Sequence, residues 1–298
     1  MSARSLAAAG VALLAATFAI PAAHSGDAAM TAAPSPAKTG YADVNGLHMY
    51  YEIYGSGQPL VLIHGAFSAI GTSFGAVIPG LAKGRQVIGV DLQGHGRTAD
   101  IDRPLDLDQM ADDVAAFIQK LDLKSADVFG YSMGATVALR VAIRHPQVVR
   151  KLILASGTYK MSGMQPGIMD MLGDMKPEMM FGSPWHDEYM RIAPRPGDFN
   201  TLFAKKVAMD KATKDLPAEA LSAIKSPTLV IVGDSDLTTP EHAVEMFRLF
   251  GGGVFGDMPP GLPNSQLAIL PGASHVGVIG KVDLLLDIVP PFLDAPIR

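Results

Sequence analysis

The sequence predicts an α/β fold: a mostly parallel central sheet flanked by helices, with an inserted helical cap. Three observations carry this expectation. Short continuous apolar runs at Pro59–Ile63, Gln86–Val90 and Thr228–Val232 read as strands buried on both faces. Segments with helical spacing alternate with such runs along the chain, the pattern of parallel strands joined by crossover helices. One stretch, about 157–225, breaks the alternation and carries no clear strand.

Composition narrows the classes. The 298 residues allow one large domain or two small ones. With 48% hydrophobic and 18% charged residues, the chain can bury a large core, so disorder throughout is excluded. The net charge is −5 and no basic stripe stands out, so nucleic acid is not an expected partner. The chain has no cysteine. That excludes disulfide scaffolds, thiolate metal sites and cysteine nucleophiles together.

In chain order, the first segment reads as a targeting signal. Arg4 precedes the apolar run Leu6–Ile20, Pro21 breaks it, and small residues follow at Ala22, Ala23 and Ser25. The run has about 15 residues, short of the roughly 20 that a spanning helix needs. Residues 1–25 are therefore expected to be a cleaved signal peptide. The protein would be exported, periplasmic or secreted, with no stable membrane insertion afterwards. The signal also accounts for part of the positive mean hydropathy, +0.23. Residues 26–40 are small, polar and proline-containing, and read as a disordered linker. The folded domain is expected over 41–298.

That domain opens with a hairpin, Tyr41–Val44 and Leu47–Tyr54 around Asn45-Gly46, because a type I′ turn needs positive φ at both central residues. The strands at 59–63 and 86–90 follow. Met110, Val114, Phe117, Ile118 and Leu121 then fall on one face of a helix over Leu107–Leu121. Ala126–Phe129 reads as a strand, Ser132–His145 as a helix stopped at Pro146, and Val149–Leu154 as the next strand. After the insertion come strands at Thr228–Val232 and Gln266–Leu270, with helices near Pro240–Phe250 and Lys281–Leu293. The insertion holds nine methionines together with Phe181, Trp185, Phe199 and Phe203. Flexible thioether side chains suit either an adaptable apolar pocket or the insertion's own core. Copper(I) ligation by thioethers is a further reading, but the spacing is irregular.

Gly130-Tyr131-Ser132-Met133-Gly134 lies between the strand at 126–129 and the following helix. G-x-S-x-G in that context is a nucleophile elbow. The turn forces Ser132 into a strained backbone, and glycines two residues either side remove clashes. The helix starts at the serine, which leaves the Met133 N–H free to receive an oxyanion.

With these residues the chain resembles the α/β-hydrolase superfamily, in the cap-bearing branch of esterases, lactonases and cofactor-free haloperoxidases. The resemblance runs from Tyr41 to the C-terminus, outside the insertion. It implies that His275, in the loop after the last strand, is the catalytic base. It also implies that Asp236, in Gly233-Asp-Ser-Asp236, orients that base, with Asp234 as the alternative. A D-x-D pair can instead hold a divalent cation. The His64-Gly65-Ala66-Phe67 segment would supply a second oxyanion donor from Ala66, or from Phe67, with His64 structural. Asp91–Thr98 matches the superfamily's D-x-x-G-x-G-x-S block, with Thr98 where Ser is usual. Phe67, Tyr131 and Trp185 are candidates to bind substrate.

The expectation is an exported serine hydrolase acting on a carboxylic ester or lactone with a hydrophobic moiety, without cofactor or metal. A perhydrolase or haloperoxidase and a carbon–carbon bond hydrolase use the same triad. A non-catalytic small-molecule binding protein is the alternative from another class. Dehalogenases and epoxide hydrolases of this fold use an Asp nucleophile, and position 132 is Ser.

Overall fold

The computed structural model describes residues 35–297. The expected signal segment and residues 26–34 of the expected linker lie outside the described residues. Eight strands form one sheet: β1 Lys38–Val44, β2 Leu47–Tyr54, β3 Gln58–Ile63, β4 Arg85–Val90, β5 Ala126–Tyr131, β6 Val149–Ala155, β7 Thr228–Ser235 and β8 Gln266–Ser274. Their order is β1-β2-β4-β3-β5-β6-β7-β8. The β1–β2 and β2–β4 pairs are antiparallel, and all the others are parallel. This is the expected mostly parallel sheet. Asn45 and Gly46, with φ of 48° and 82°, make the opening turn.

The first strand starts before the expected domain boundary. Lys38, Thr39 and Gly40 pair with Ile53, Glu52 and Tyr51, so the linker reading fails over 38–40. The reason is that an edge strand needs only backbone pairing on one side. Lys38 and Thr39 keep polar side chains in water while their amides join the ladder.

The helices are α1 Ile70–Phe74, α2 Ile78–Leu81, α3 Leu107–Lys120, α4 Met133–Arg144, α5 Ile168–Asp174, α6 Pro184–Ile192, α7 Phe199–Ala212, α8 Ala218–Ser222, α9 Pro240–Leu249, α10 Gly277–Gly280 and α11 Val282–Asp294. One core packs α3, α4 and α9 against one sheet face. The other packs α1, α2, α10 and α11 against the opposite face. Val61, Ile63, Ile88 and Val90 point into the first core, while Leu60, Leu62 and Val87 point into the second. Strands buried on both sides explain why these runs are continuously apolar. Asp106 caps α3 by accepting the Gln109 N–H at 2.8 Å.

Between β6 and β7 the described residues form helices and short 3₁₀ turns. An isolated antiparallel bridge links Met164 to Thr238. Helices α5 and α6 each pack on α7. Helix α8 instead packs on α9, with Leu221 fully buried. The covering part of the insertion is therefore shorter than the expected 157–225. The Leu216 N–H bonds the Tyr159 carbonyl at 2.8 Å and returns the chain to the helical layer before α8.

Candidate active site

Strand β5 delivers Ser132 at the carboxyl edge of the sheet, directly before α4. Its backbone sits at φ 56°, ψ −123°, a conformation that costs a β-carbon-bearing residue strain of order 1–3 kcal/mol. The neighbouring glycines are required by contact. A Cβ on Gly130 would lie 2.1 Å from the Gly134 carbonyl oxygen, and one on Gly134 would lie 2.0 Å from that of Ile63. The first turn of α4 and the end of β3 leave no room there for any side chain.

The structure brings the three residues expected as nucleophile, base and acid into one hydrogen-bonded chain. Ser132 Oγ lies 2.9 Å from His275 Nε2, and His275 Nδ1 lies 2.7 Å from Asp236 Oδ1. Asp236 is buried, and its other oxygen accepts the Ser156 hydroxyl at 2.5 Å and the Gly233 N–H at 3.1 Å. Burial pushes the Asp236 carboxyl up. Its hydrogen bonds with His275, Ser156 and Gly233 outweigh that, so it stays below the usual carboxylate range. Asp234, the alternative acid, is turned away. It accepts the Gly272 and Ala273 N–H groups at 2.8 and 3.2 Å and braces the end of β8.

Met133 is the first residue of α4, so its N–H has no acceptor within the helix. Opposite, the Ser68 N–H reaches back to the Gly65 carbonyl at 3.4 Å, and Phe67 takes φ 57°. This makes a tight turn of Ala66 and Phe67 beside Ser132. His64 is buried under it. Its Nε2 accepts the Leu92 N–H at 3.0 Å, so Nδ1 carries the proton and donates to the Gly65 carbonyl at 2.7 Å. Burial holds this imidazole down at about 4, neutral and structural. Asp91 secures the neighbouring turn by accepting the Ile70 and Arg97 N–H groups at 3.0 and 2.8 Å.

A sequence profile of the alpha/beta hydrolase fold matches residues 58–217. The AB hydrolase superfamily protein YisY of Bacillus subtilis (strain 168) is 31% identical over 229 residues, spanning 67% of this chain and 82% of the relative. The chain belongs to the α/β-hydrolase fold family. A pimeloyl-(acyl-carrier protein) methyl ester esterase of Neisseria meningitidis serogroup C is 27% identical over 80% of this hydrolase and 94% of its own length. The crystal structure of the enol-lactonase from Burkholderia xenovorans LB400 superposes with a TM-score of 0.66. It is 22% identical and covers 86% of this chain and 100% of its own, a likeness of fold.

Above Ser132 the hydrolase has a partly open cavity of about 270 Å³. Of the cap methionines, Met161, Met164, Met169, Met175, Met180 and Met209 line it, whereas Met171, Met179 and Met190 are exposed. Phe67, Tyr131 and Trp185, expected to bind substrate, all line the cavity. Phe67 stacks on Phe203 of α7, with centroids 5.3 Å apart. Tyr131 also braces the histidine loop. Its hydroxyl donates to the His275 carbonyl at 3.0 Å, and its ring stacks on the imidazole.

Sequence reasoning missed two features. Ser156, at φ 56° just after β6, holds the second oxygen of Asp236. The available signal was topological, since the ends of adjacent parallel strands converge on one edge. Lys206 and Asp210 also line the cavity. Their signal was a lysine placed on an otherwise apolar helical stripe.

Proposed function

We propose that this hydrolase cleaves a carboxylic ester or lactone carrying a hydrophobic moiety, through an acyl-enzyme on Ser132. The observation that carries the reading is the chain Ser132–His275–Asp236, with links of 2.9 and 2.7 Å, on the floor of a methionine-lined cavity. Ser132 Oγ attacks the carbonyl carbon as His275 Nε2 takes its proton. The Met133 N–H and the N–H of Ala66 or Phe67 receive the developing oxyanion. Asp236 fixes the Nδ1–H tautomer and stabilises the imidazolium. His275 then gives the proton to the leaving alkoxide, and a water activated by the same imidazole releases the acid.

Turnover of 4-nitrophenyl butyrate tests the reading. Ser132→Ala is expected to lower kcat by about 10⁴-fold or more and to abolish labelling by a fluorophosphonate. Wild-type turnover by Ser132→Ala overturns it.

The proposal includes export to the periplasm or beyond, supported by Arg4, the apolar run Leu6–Ile20 and the small residues at 22–25. The intact mass of protein recovered from the producing cells is expected to show a chain starting near residue 25. An uncut cytosolic chain overturns this part.

A further inference from the structure

The cavity over Ser132 holds an ion pair that acyl transfer does not use. Helix α7 buries Phe199, Leu202, Phe203, Lys206 and Met209, the spacing of a core-facing stripe. Lys206 thus occupies a core position, and Met209 one turn later shows that an apolar side chain suits this face. The Lys206 side chain is 11% exposed, and its Nζ donates to Asp210 Oδ2 at 2.6 Å. Among the described residues that line the cavity, Lys206 and Asp210 are the only Lys, Arg, Asp or Glu. The Asp210 side chain is 24% exposed, and a partly exposed i,i+4 pair of this kind adds little stability, so fold stability gives little reason for a lysine at this core-facing position.

The pair has unused hydrogen-bonding capacity. An ammonium carries three donors, and a carboxylate has about four acceptor sites. Among the described residues, the bond between Lys206 and Asp210 is the one hydrogen bond either charged group forms. The Lys206 Nζ lies 5.9 Å from the Phe67 ring centroid, next to the turn beside Ser132. A few polar groups in an apolar pocket fix the orientation of what enters it.

We infer that Lys206 and Asp210 select an ester or lactone bearing a free hydroxyl away from the scissile carbonyl. The pair is net neutral. A substrate carboxylate drawn to Lys206 is repelled by Asp210, and an ammonium meets the reverse. An unsubstituted alkyl chain leaves both groups unmatched. A hydroxyl is at once donor and acceptor, so it accepts from Nζ and donates to the Asp210 carboxylate. This inference rests on the ester-hydrolase reading of Ser132 and adds the substrate class to it.

The test compares 4-nitrophenyl esters of ω-hydroxyalkanoic and n-alkanoic acids, matched in length, at several chain lengths. The wild-type ratio of kcat/KM, hydroxy over alkyl, is expected to exceed one by about tenfold at its best length, the worth of one hydrogen bond to a charged group. Lys206→Met, which keeps side-chain length, is expected to return the ratio to about one. The ratio is internal to each protein, so partial unfolding of the variant cancels. The matching methyl esters are also titrated calorimetrically against Ser132→Ala, which reads hydroxyl preference without turnover. A preference at or below one at every length, in turnover by wild type or in binding to Ser132→Ala, overturns the inference. So does a preference that Lys206→Met leaves unchanged. Preferential binding without turnover overturns the esterase reading alone.

Discussion

At the scale of the residue, the site depends on backbone positions that tolerate one residue type. Gly134 is the clearest. Its missing side chain is the space through which the Ile63 and His64 carbonyls pass, at 2.0 and 2.5 Å from where a Cβ would sit. Both obstacles are backbone and cannot rotate away. Gly134→Ala is expected to destabilise the protein by about 3 kcal/mol or more, read as a shift of the urea midpoint. Gly173→Ala in α5, where a Cβ meets nothing within 4 Å, is expected to leave the protein as stable as wild type or more stable by up to about 1 kcal/mol. Equal midpoints for the two variants overturn this account. Such steric requirements made Ser132 legible in the sequence. The choice between Asp236 and Asp234 was not legible without the resemblance. Both lie on one short segment after the same strand run, and a register irregularity between β7 and β8 at Gly233–Ser235 accompanies their turning opposite ways.

At the scale of the element, helix α7 shapes the cavity and must be held over the sheet. Lys205 does much of this. Its Nζ donates to Asp100 Oδ2 at 2.6 Å and to the Ile101 and Arg103 carbonyls at 2.9 and 2.8 Å. Arg195, ahead of α7, adds a bond to the Asp100 carbonyl at 2.6 Å. Adjacent lysines thus have opposite roles: Lys205 ties the helix to the loop at residues 100–103 and Lys206 faces the cavity. Lys205→Ala is expected to increase several-fold the rate of limited proteolysis within residues 161–213, with cleavage of the sheet domain unchanged. An unaltered digestion pattern overturns that role. The insertion was legible as helical and methionine-rich because the strand pattern stops there. Its docking was not, since it depends on single side chains reaching a loop about one hundred positions away in sequence.

At the scale of the whole molecule, buried titratable groups near the site set the response to acid. Burial holds His64 down at about 4, and burial followed by the nearby His64 holds His95 down at about 3, both from 6.5. The unfolded chain therefore protonates them first as pH falls, and their contribution to stability is lost below about 6.5. Burial raises Asp91 from 3.8 to about 7, so there the folded chain binds the proton first and gains stability as pH falls from 7. Two imidazoles oppose one carboxyl, and the net expectation is a lower urea midpoint at pH 5 than at pH 7. An equal or higher midpoint at pH 5 overturns it.

The sequence by itself determined the sheet and the elbow at Ser132, while the expectation of Asp236 and His275 came from the family resemblance. The sheet and the elbow follow from local rules: apolar periodicity, glycine where no Cβ fits, and strand-to-helix turns. Only the tertiary structure decided that Ser156 grips Asp236, that β1 begins at Lys38, and that Lys206 and Asp210 stand in an apolar cavity. Each of these depends on groups distant in sequence meeting at the carboxyl edge of the sheet, along its border or beneath the cap. A side chain's local pattern leaves open which distant partner it will meet, and the partner decides what it does.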